Sequence, residues 1–317
     1  MTARTDQLRQ QLTLTDSREG AWTGERHNSL VPGESTARPV LSWRTRLLEP
    51  GVRMPWRRSP SDTVLFFHEG APLSVRLKGT HGDGPAVLGG APHAGHVLQH
   101  TIPAGTWHSL IAQEPRYALW SEASVPGTAP WELAPDGPGP ASDTLTGAQP
   151  SPTWSAGKSG HTAELLGLVS HVEGGYYRQL YQSSRLLETP RGTRALANTI
   201  HYLLDHSSPV GHLHSNVSDI THFLHLGGPI HYLMLSPDGI LHERVLGREA
   251  EHGQVPAFTC PGGWWKTSFL PPGVDEGLIS EIVAPGFDFT DQRLARADEI
   301  AVDFPRHARR LEPYTHP

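Results

Sequence analysis

The chain has 317 residues, enough for two domains that each bury a core. Its formal net charge of −6 is spread without acidic or basic blocks, which argues against a nucleic-acid or membrane-surface partner. No apolar run reaches the roughly 20 residues that span a bilayer, the N-terminus lacks an apolar secretory core, and Cys260 has no second cysteine to pair with; together these predict a cytoplasmic protein.

With 33 glycines and 29 prolines, short strands joined by turns are expected rather than long helices. A first short helix is predicted over Thr5–Leu14, where Leu8 and Leu12 share a face. The pattern then turns to β: Thr63–Phe67, Leu73–Leu77 and Tyr117–Trp120 are short, apolar or aromatic, and bounded by Gly, Pro or Asp. Residues 135–160, opening Pro135-Asp136-Gly137-Pro138-Gly139-Pro140, are rich in Pro, Gly and Ser and read as a linker. A second helix is predicted over Thr162–Val169 with Thr162 as its N-cap. Strands such as Ile230–Leu235 and turns such as Pro237-Asp238-Gly239 follow, and the polar tail Arg306–Pro317 is expected to be peripheral. Strands at this spacing predict a closed antiparallel barrel or sandwich.

One stretch occurs twice. Glu19-Gly20-Ala21-Trp22 recurs as Glu173-Gly174-Gly175-Tyr176, Leu47-Leu48 as Leu203-Leu204, Ser61-Asp62 as Ser218-Asp219, and Pro103-Ala104-Gly105-Thr106-Trp107-His108 as Pro261-Gly262-Gly263-Trp264-Trp265-Lys266. The offset drifts only from 154 to 158 residues, as expected for a duplicated domain. Chemistry-bearing positions differ between the copies: His214 stands where the first copy has Arg57. Of the 20 histidines, eight fall between residues 201 and 242.

Several motifs resemble one family, the Cupin_5 group of small cupins. The resemblance is carried by Glu173-Gly174-Gly175-Tyr176-Tyr177-Arg178, by the closing Val283-Ala284-Pro285-Gly286-Phe287-Asp288-Phe289, and in the first copy by Leu47-Leu48-Glu49-Pro50-Gly51 and Pro103-Ala104-Gly105-Thr106-Trp107. It implies an all-β fold of two tandem cupin (double-stranded β-helix, jelly-roll) barrels with short leading helices. The expected organisation is a degenerate N-terminal cupin over 1–134, the linker, a C-terminal cupin over 161–305 with a metal site, and the tail. The first cupin is expected to pack on the second as an intramolecular pair, with homodimerisation as a further alternative. The fold alone does not name a reaction.

His212 and His214 lie two apart on a predicted strand and would project from one face. With Asp219 five residues on, they resemble the first cupin signature, and two His with a carboxylate leave open positions on a first-row metal. The metal ligands are therefore expected to be His212, His214 and either Asp219 or His222, with His201 a further candidate. Lys266 holds the position where cupins commonly place their last histidine, and is expected to face the cavity and meet a substrate anion. Tyr177 is a candidate acid. In the first copy, Arg57 and Thr63 replace the expected His and Glu, leaving His108 without ligand partners and His68 as the one other nearby candidate, so Arg57, Arg58 and His108 are read as structural, with anion binding as the alternative. Cys260 reads as a small buried residue. There is no phosphate-binding Gly-rich loop and no G-x-S-x-G elbow.

The expected function is a metal-dependent cupin oxygenase, holding Fe(II), or else Ni or Mn, and acting with dioxygen on a small polar molecule such as an amino acid or thiol-bearing amino acid. The alternatives are a metal-free isomerase or epimerase of a sugar or keto acid, with His and Asp219 as base and a Tyr as acid, and a non-catalytic binding bicupin.

Overall fold

The structure is a computed structural model that describes residues 3–17, 19–31, 38–78, 86–113, 115–127, 130–134 and 161–316; the predicted linker 135–160 lies outside the described residues. The chain divides into two compact units, residues 1–29 with 38–155, and residues 30–37 with 156–317. No helix among the described residues is long and apolar enough to cross a membrane.

Each unit is a pair of antiparallel sheets. In the first, one sheet runs Trp22–Thr23, Leu41–Leu48, Ala118–Val125, Asp62–Gly70, Gln99–Ile102, with His27–Ser29 also paired to Leu41–Leu48. Its second sheet runs Glu132–Ala134, Trp56–Arg58, Trp107–Ala112, Leu73–Lys78, Ala86–Leu88. The second unit repeats this plan. Its six-stranded sheet runs Val169–Ser170, Tyr176–Gln182, Asn198–Asp205, Glu276–Ala284, Asp219–Gly227, Ala257–Cys260, and its five-stranded sheet Leu241–Leu246, Ile230–Leu235, Trp265–Phe269, Val210–Asn216, Gln292–Leu294. A separate hairpin pairs Leu186–Thr189 with Gly192–Ala195. This is the all-β double jelly roll expected from the sequence.

Apolar side chains pointing inward from the two sheets form each core. Met54, Leu65, Phe67, Leu73, Val75 and Trp120 fill the first unit, and Leu204, Leu224, Ile230, Tyr232, Leu246 and Ile279 the second. The registers superpose the two copies residue by residue. Ala118 pairs with Gly70 as Gly277 pairs with Gly227, so Glu122 and Glu281 are equivalent; Arg57 pairs with His108 as His214 pairs with Lys266.

Two local expectations need correction. The first helix is Ala3–Gln11 and the second only His161–Leu166, ended by Gly167 at φ +62. Thr162 lies inside that second helix rather than capping it, and its buried hydroxyl donates to Glu276 Oε1 at 3.0 Å. The tail is not peripheral. Helices Ala297–Asp303 and Ala308–Leu311 bury Ile300 and Leu311 in a cluster with Leu213, Leu233, Leu235 and Trp265, and Tyr314 stacks on Phe269 at 4.9 Å. A residue every few positions on a short helix suffices for this, although the segment's overall composition is polar.

Candidate active site

The second barrel holds a buried polar group built around Glu173. The Glu173-Gly174-Gly175 turn places it. Gly174 has φ +91, and a Cβ there would lie 2.2 Å from the Val210 carbonyl oxygen; at Gly175, φ +69, it would lie 2.6 Å from that of Leu203. Only glycine fits both. Tyr202 Oη donates to the Gly174 carbonyl at 2.8 Å, and Gln292 Nε2 donates to Glu173 Oε1.

His214 Nε2 stands 3.2 Å from Glu173 Oε1. Its Nδ1 lies 2.7 Å from the His212 carbonyl oxygen, which can only accept, so Nδ1 carries the hydrogen and Nε2 keeps its lone pair. Burial, reinforced by Lys266, holds the imidazole well below its usual value and therefore neutral. Burial also pushes the Glu173 carboxyl up to about 8; Lys266 pulls against the shift and Glu281 adds to it. At neutral pH a carboxylic acid thus faces an imidazole lone pair.

Across the chamber, Lys266 Nζ donates to Glu281 Oε1 at 3.4 Å, both side chains nearly buried. Burial alone would lower the ammonium, but Glu281 and Glu173 outweigh it and raise it, so Lys266 stays charged. One ion pair leaves two of its three hydrogens for another acceptor. His222 is the cross-strand neighbour of Glu281, with Nδ1 at 3.7 Å from Oε1; it is fully buried, packs against Tyr232 and Phe258, and neither ring nitrogen has a hydrogen-bond partner. His171, lowered to about 4 by burial and then by Lys266, lies edge-on to Tyr177 at 4.6 Å between ring centroids. Glu173, Glu281 and His171 keep 9–10% of their side-chain surface exposed.

The expected ligand set is not brought together. Between Gly211 and His214 the strand carries a β-bulge, because its register to Trp265–Phe269 gains one residue there. The bulge breaks the two-residue alternation on which the shared face of His212 and His214 rested. His214 turns inward, whereas His212 stays half-exposed with its ring 5.6 Å from that of His316. Asp219 accepts from the Gly262 amide at 2.9 Å in the neighbouring turn. His201 pairs with Ser280 and bonds its hydroxyl at 3.0 Å, on the opposite face of the sheet from Glu281. Among the described residues, no group of three or more His, Cys, Asp and Glu side chains is placed to hold a metal ion. His212, His214, Asp219 and His222 therefore do not supply three ligands to one metal.

Lys266 is buried and bonded to Glu281. Tyr177 is half-buried against the core beside His171. Cys260 is buried and its thiol is pushed up to about 12 by burial, which leaves it unreactive. Sequence reasoning did not single out Glu173, Glu281 or His171 for the site. The signal for the two glutamates was there: each recurs in the other copy, as Glu19 and Glu122.

Those equivalents show what the first barrel does with the same positions. Arg46 donates to Glu19 at 2.7 Å, Arg44 to Glu19 at 3.1 Å, and Arg57 bridges Glu19 and Glu122. These arginines outweigh the cost of burial and draw both carboxyls down. His108 is lowered to about 3 by burial and then by Arg57, and its Nδ1 bonds the Thr106 carbonyl. His68 instead bonds the Ser121 hydroxyl at 2.8 Å.

The Cupin_5 family, described as cupin superfamily (DUF985), matches residues 6–130 and 161–295. The chain belongs to this family. The uncharacterized protein YML079W of Saccharomyces cerevisiae is 36% identical over 146 residues, which cover 42% of this chain and 72% of that protein. A hypothetical protein from Leishmania major is 26% identical, covering 50% of this chain and 99% of the other, with a TM-score of 0.48. Two-barrel proteins resemble the whole chain. A vicilin of Solanum melongena covers 94% of this chain and 91% of its own at 11% identity, and an oxalate decarboxylase of Lactobacillus farciminis covers 96% and 94% at 12%, each with a TM-score of 0.51. At those identities the likeness is one of bicupin fold, shared by the vicilin and the oxalate decarboxylase alike.

Proposed function

We propose that the second barrel is a metal-independent proton-transfer enzyme, an isomerase or epimerase of a small sugar or keto acid, with Glu173 and His214 as its acid–base pair. The observation that carries this reading is the 3.2 Å approach of Glu173 Oε1 to a His214 Nε2 whose other nitrogen is already committed. An acid and a lone pair at hydrogen-bond range can take a proton from one carbon or oxygen of a substrate and return it to another. The Lys266 ammonium, with two hydrogens not bonded to Glu281, would bind a substrate carboxylate or stabilise the enolate that forms, in a largely buried setting. This keeps the isomerase alternative but replaces Asp219 with Glu173. The test is solvent-deuterium incorporation into a panel of aldoses, ketoses and keto acids, followed by NMR. Glu173→Gln and His214→Asn are each expected to lose about 10²-fold or more; exchange undiminished in Glu173→Gln would sink the reading.

The metal-dependent oxygenase remains as a second reading because one observation favours it: His214 Nε2 and both nitrogens of His222 are buried without hydrogen-bond partners. Fe(II), Ni or Mn bound there would supply redox chemistry toward dioxygen and a small polar substrate. Near-stoichiometric metal in the wild type, absent from a His214→Ala/His222→Ala variant, supports that reading; equal metal content in both counts against it.

A further inference from the structure

In the first barrel three guanidiniums, those of Arg44, Arg46 and Arg57, hold the Glu19 carboxyl. The second barrel has none of them. Glu122 pairs with Arg44 as Glu281 pairs with Ile200, and Trp120 with Arg46 as Ile279 with Tyr202. Ile200, Tyr202 and His214 therefore stand in the three arginine positions. Ile200 has no side-chain donor, Tyr202 gives its hydroxyl to the Gly174 carbonyl, and His214 Nε2 carries no hydrogen. The donor to Glu173 comes from another strand. Arg57 pairs with Leu133 and His214 with Leu294, so Gln292 is the counterpart of Trp131, each lying two residues earlier in the chain. Trp131 covers the Arg57 guanidinium, its ring centroid 4.3 Å from the guanidinium carbon, whereas Gln292 Nε2 donates to Glu173 Oε1. The segment carrying Gln292 is pinned. Asp291 accepts from Arg194 Nε at 2.7 Å and Nη2 at 3.2 Å, and its carbonyl accepts from the Val217 amide at 3.2 Å. Gln292 itself pairs with Asn216, on the strand that carries His214. That pairing fixes the amide relative to the imidazole, and both meet Glu173 at Oε1.

We propose that Gln292 is a positioning residue of this site: its amide N–H turns the Glu173 carboxyl so that Oε1 stands opposite His214 Nε2. The proposal rests on the acid–base reading of that pair. The last torsion of a glutamate is broad, and a proton transfer loses rate when its partners are misplaced by ~1 Å. An amide suits the task where a guanidinium does not. It orients the carboxyl without bringing a positive charge that would hold it ionised.

The test uses the full chain labelled with 13C at its glutamate carboxyls, the Glu173 signal being the one lost in Glu173→Gln. Gln292→Met keeps the length of the side chain and removes the donor, and should displace that signal. Solvent-deuterium exchange into the panel of aldoses, ketoses and keto acids should fall about tenfold or more in kcat, with little change in KM. Added to Glu173→Gln, the same substitution should cause no further loss, because the two side chains act as one unit. Gln292→Ala is the second variant should Gln292→Met fail to fold, with the same expectations. A Glu173 signal that moves in neither variant overturns the proposal, as does a loss of exchange that multiplies with that of Glu173→Gln. Wild-type protein that exchanges no deuterium, with the carboxyl signal still displaced in the variants, sinks the acid–base reading and upholds the placement of the carboxyl by Gln292.

Discussion

Arg57 and His214 occupy one position in two copies of the same barrel: Arg57 stands opposite His108 across its strand pair, and His214 opposite Lys266. The carboxylates beside them are also equivalent, Glu19 and Glu122 in one copy, Glu173 and Glu281 in the other. What differs is the number of cations. Three arginines hold the first pair ionised, while a single lysine serves the second, so Glu173 is left beside a neutral imidazole.

Glu173 should give the second barrel a pH signature. Its folded pKa of about 8 lies above the ordinary carboxyl range near 4.5. Between these values the folded state keeps a proton that the unfolded state has lost, so this group favours folding less and less as pH rises through that window. Deuterium exchange that uses Glu173 as acid should likewise fall as pH rises above about 8. Glu173→Gln should flatten the stability profile over this window, as measured by urea midpoints across pH.

His171 and His201 act in the opposite direction. Both are lowered to about 4, chiefly by burial, so they stay neutral in the fold while the unfolded chain takes up protons near 6.5. Their contribution is complete above about 6.5 and is lost as pH falls toward 4, at about 1.4 kcal/mol per histidine per pH unit. His201→Gln should reduce the acid sensitivity of Tm measured between those limits.

The Lys266–Glu281 pair is expected to be expensive to break and cheap to replace. Lys266→Met leaves Glu281 buried without its cation and should cost about 3–5 kcal/mol. Adding Glu281→Gln should recover most of that. Urea denaturation of the single and double variants measures both, and an additive pair of losses would show that the two side chains do not interact.

The C-terminal tail should contribute to stability. Leu311 is fully buried against Leu213, Leu235 and Trp265, and Leu311→Ala should cost about 2–5 kcal/mol. A denaturation midpoint unchanged by this substitution would mean that the tail is not docked.

The fold was legible because a jelly roll is written in features that survive in one sequence: short apolar runs, turn residues, and a duplicated order of motifs. The site was legible only in part. Strand alternation puts His212 and His214 on one face and leaves Asp219 and His222 as alternatives, but alternation fails at a bulge, and nothing in Gly211-His212-Leu213-His214 announces one. Glu173 escaped notice because its role depends on burial by strands distant in sequence, with Gln292 more than 100 residues away. The tail misled because composition averages over residues, whereas packing needs only Leu311 and Tyr314.

The most direct test of the account is deuterium exchange by protein stripped of metal with a chelator, measured beside unstripped protein and Glu173→Gln. Proton transfer by Glu173 and His214 predicts equal exchange before and after stripping and its loss in the variant. Exchange that disappears on stripping and returns with Fe(II), while Glu173→Gln remains active, would contradict it.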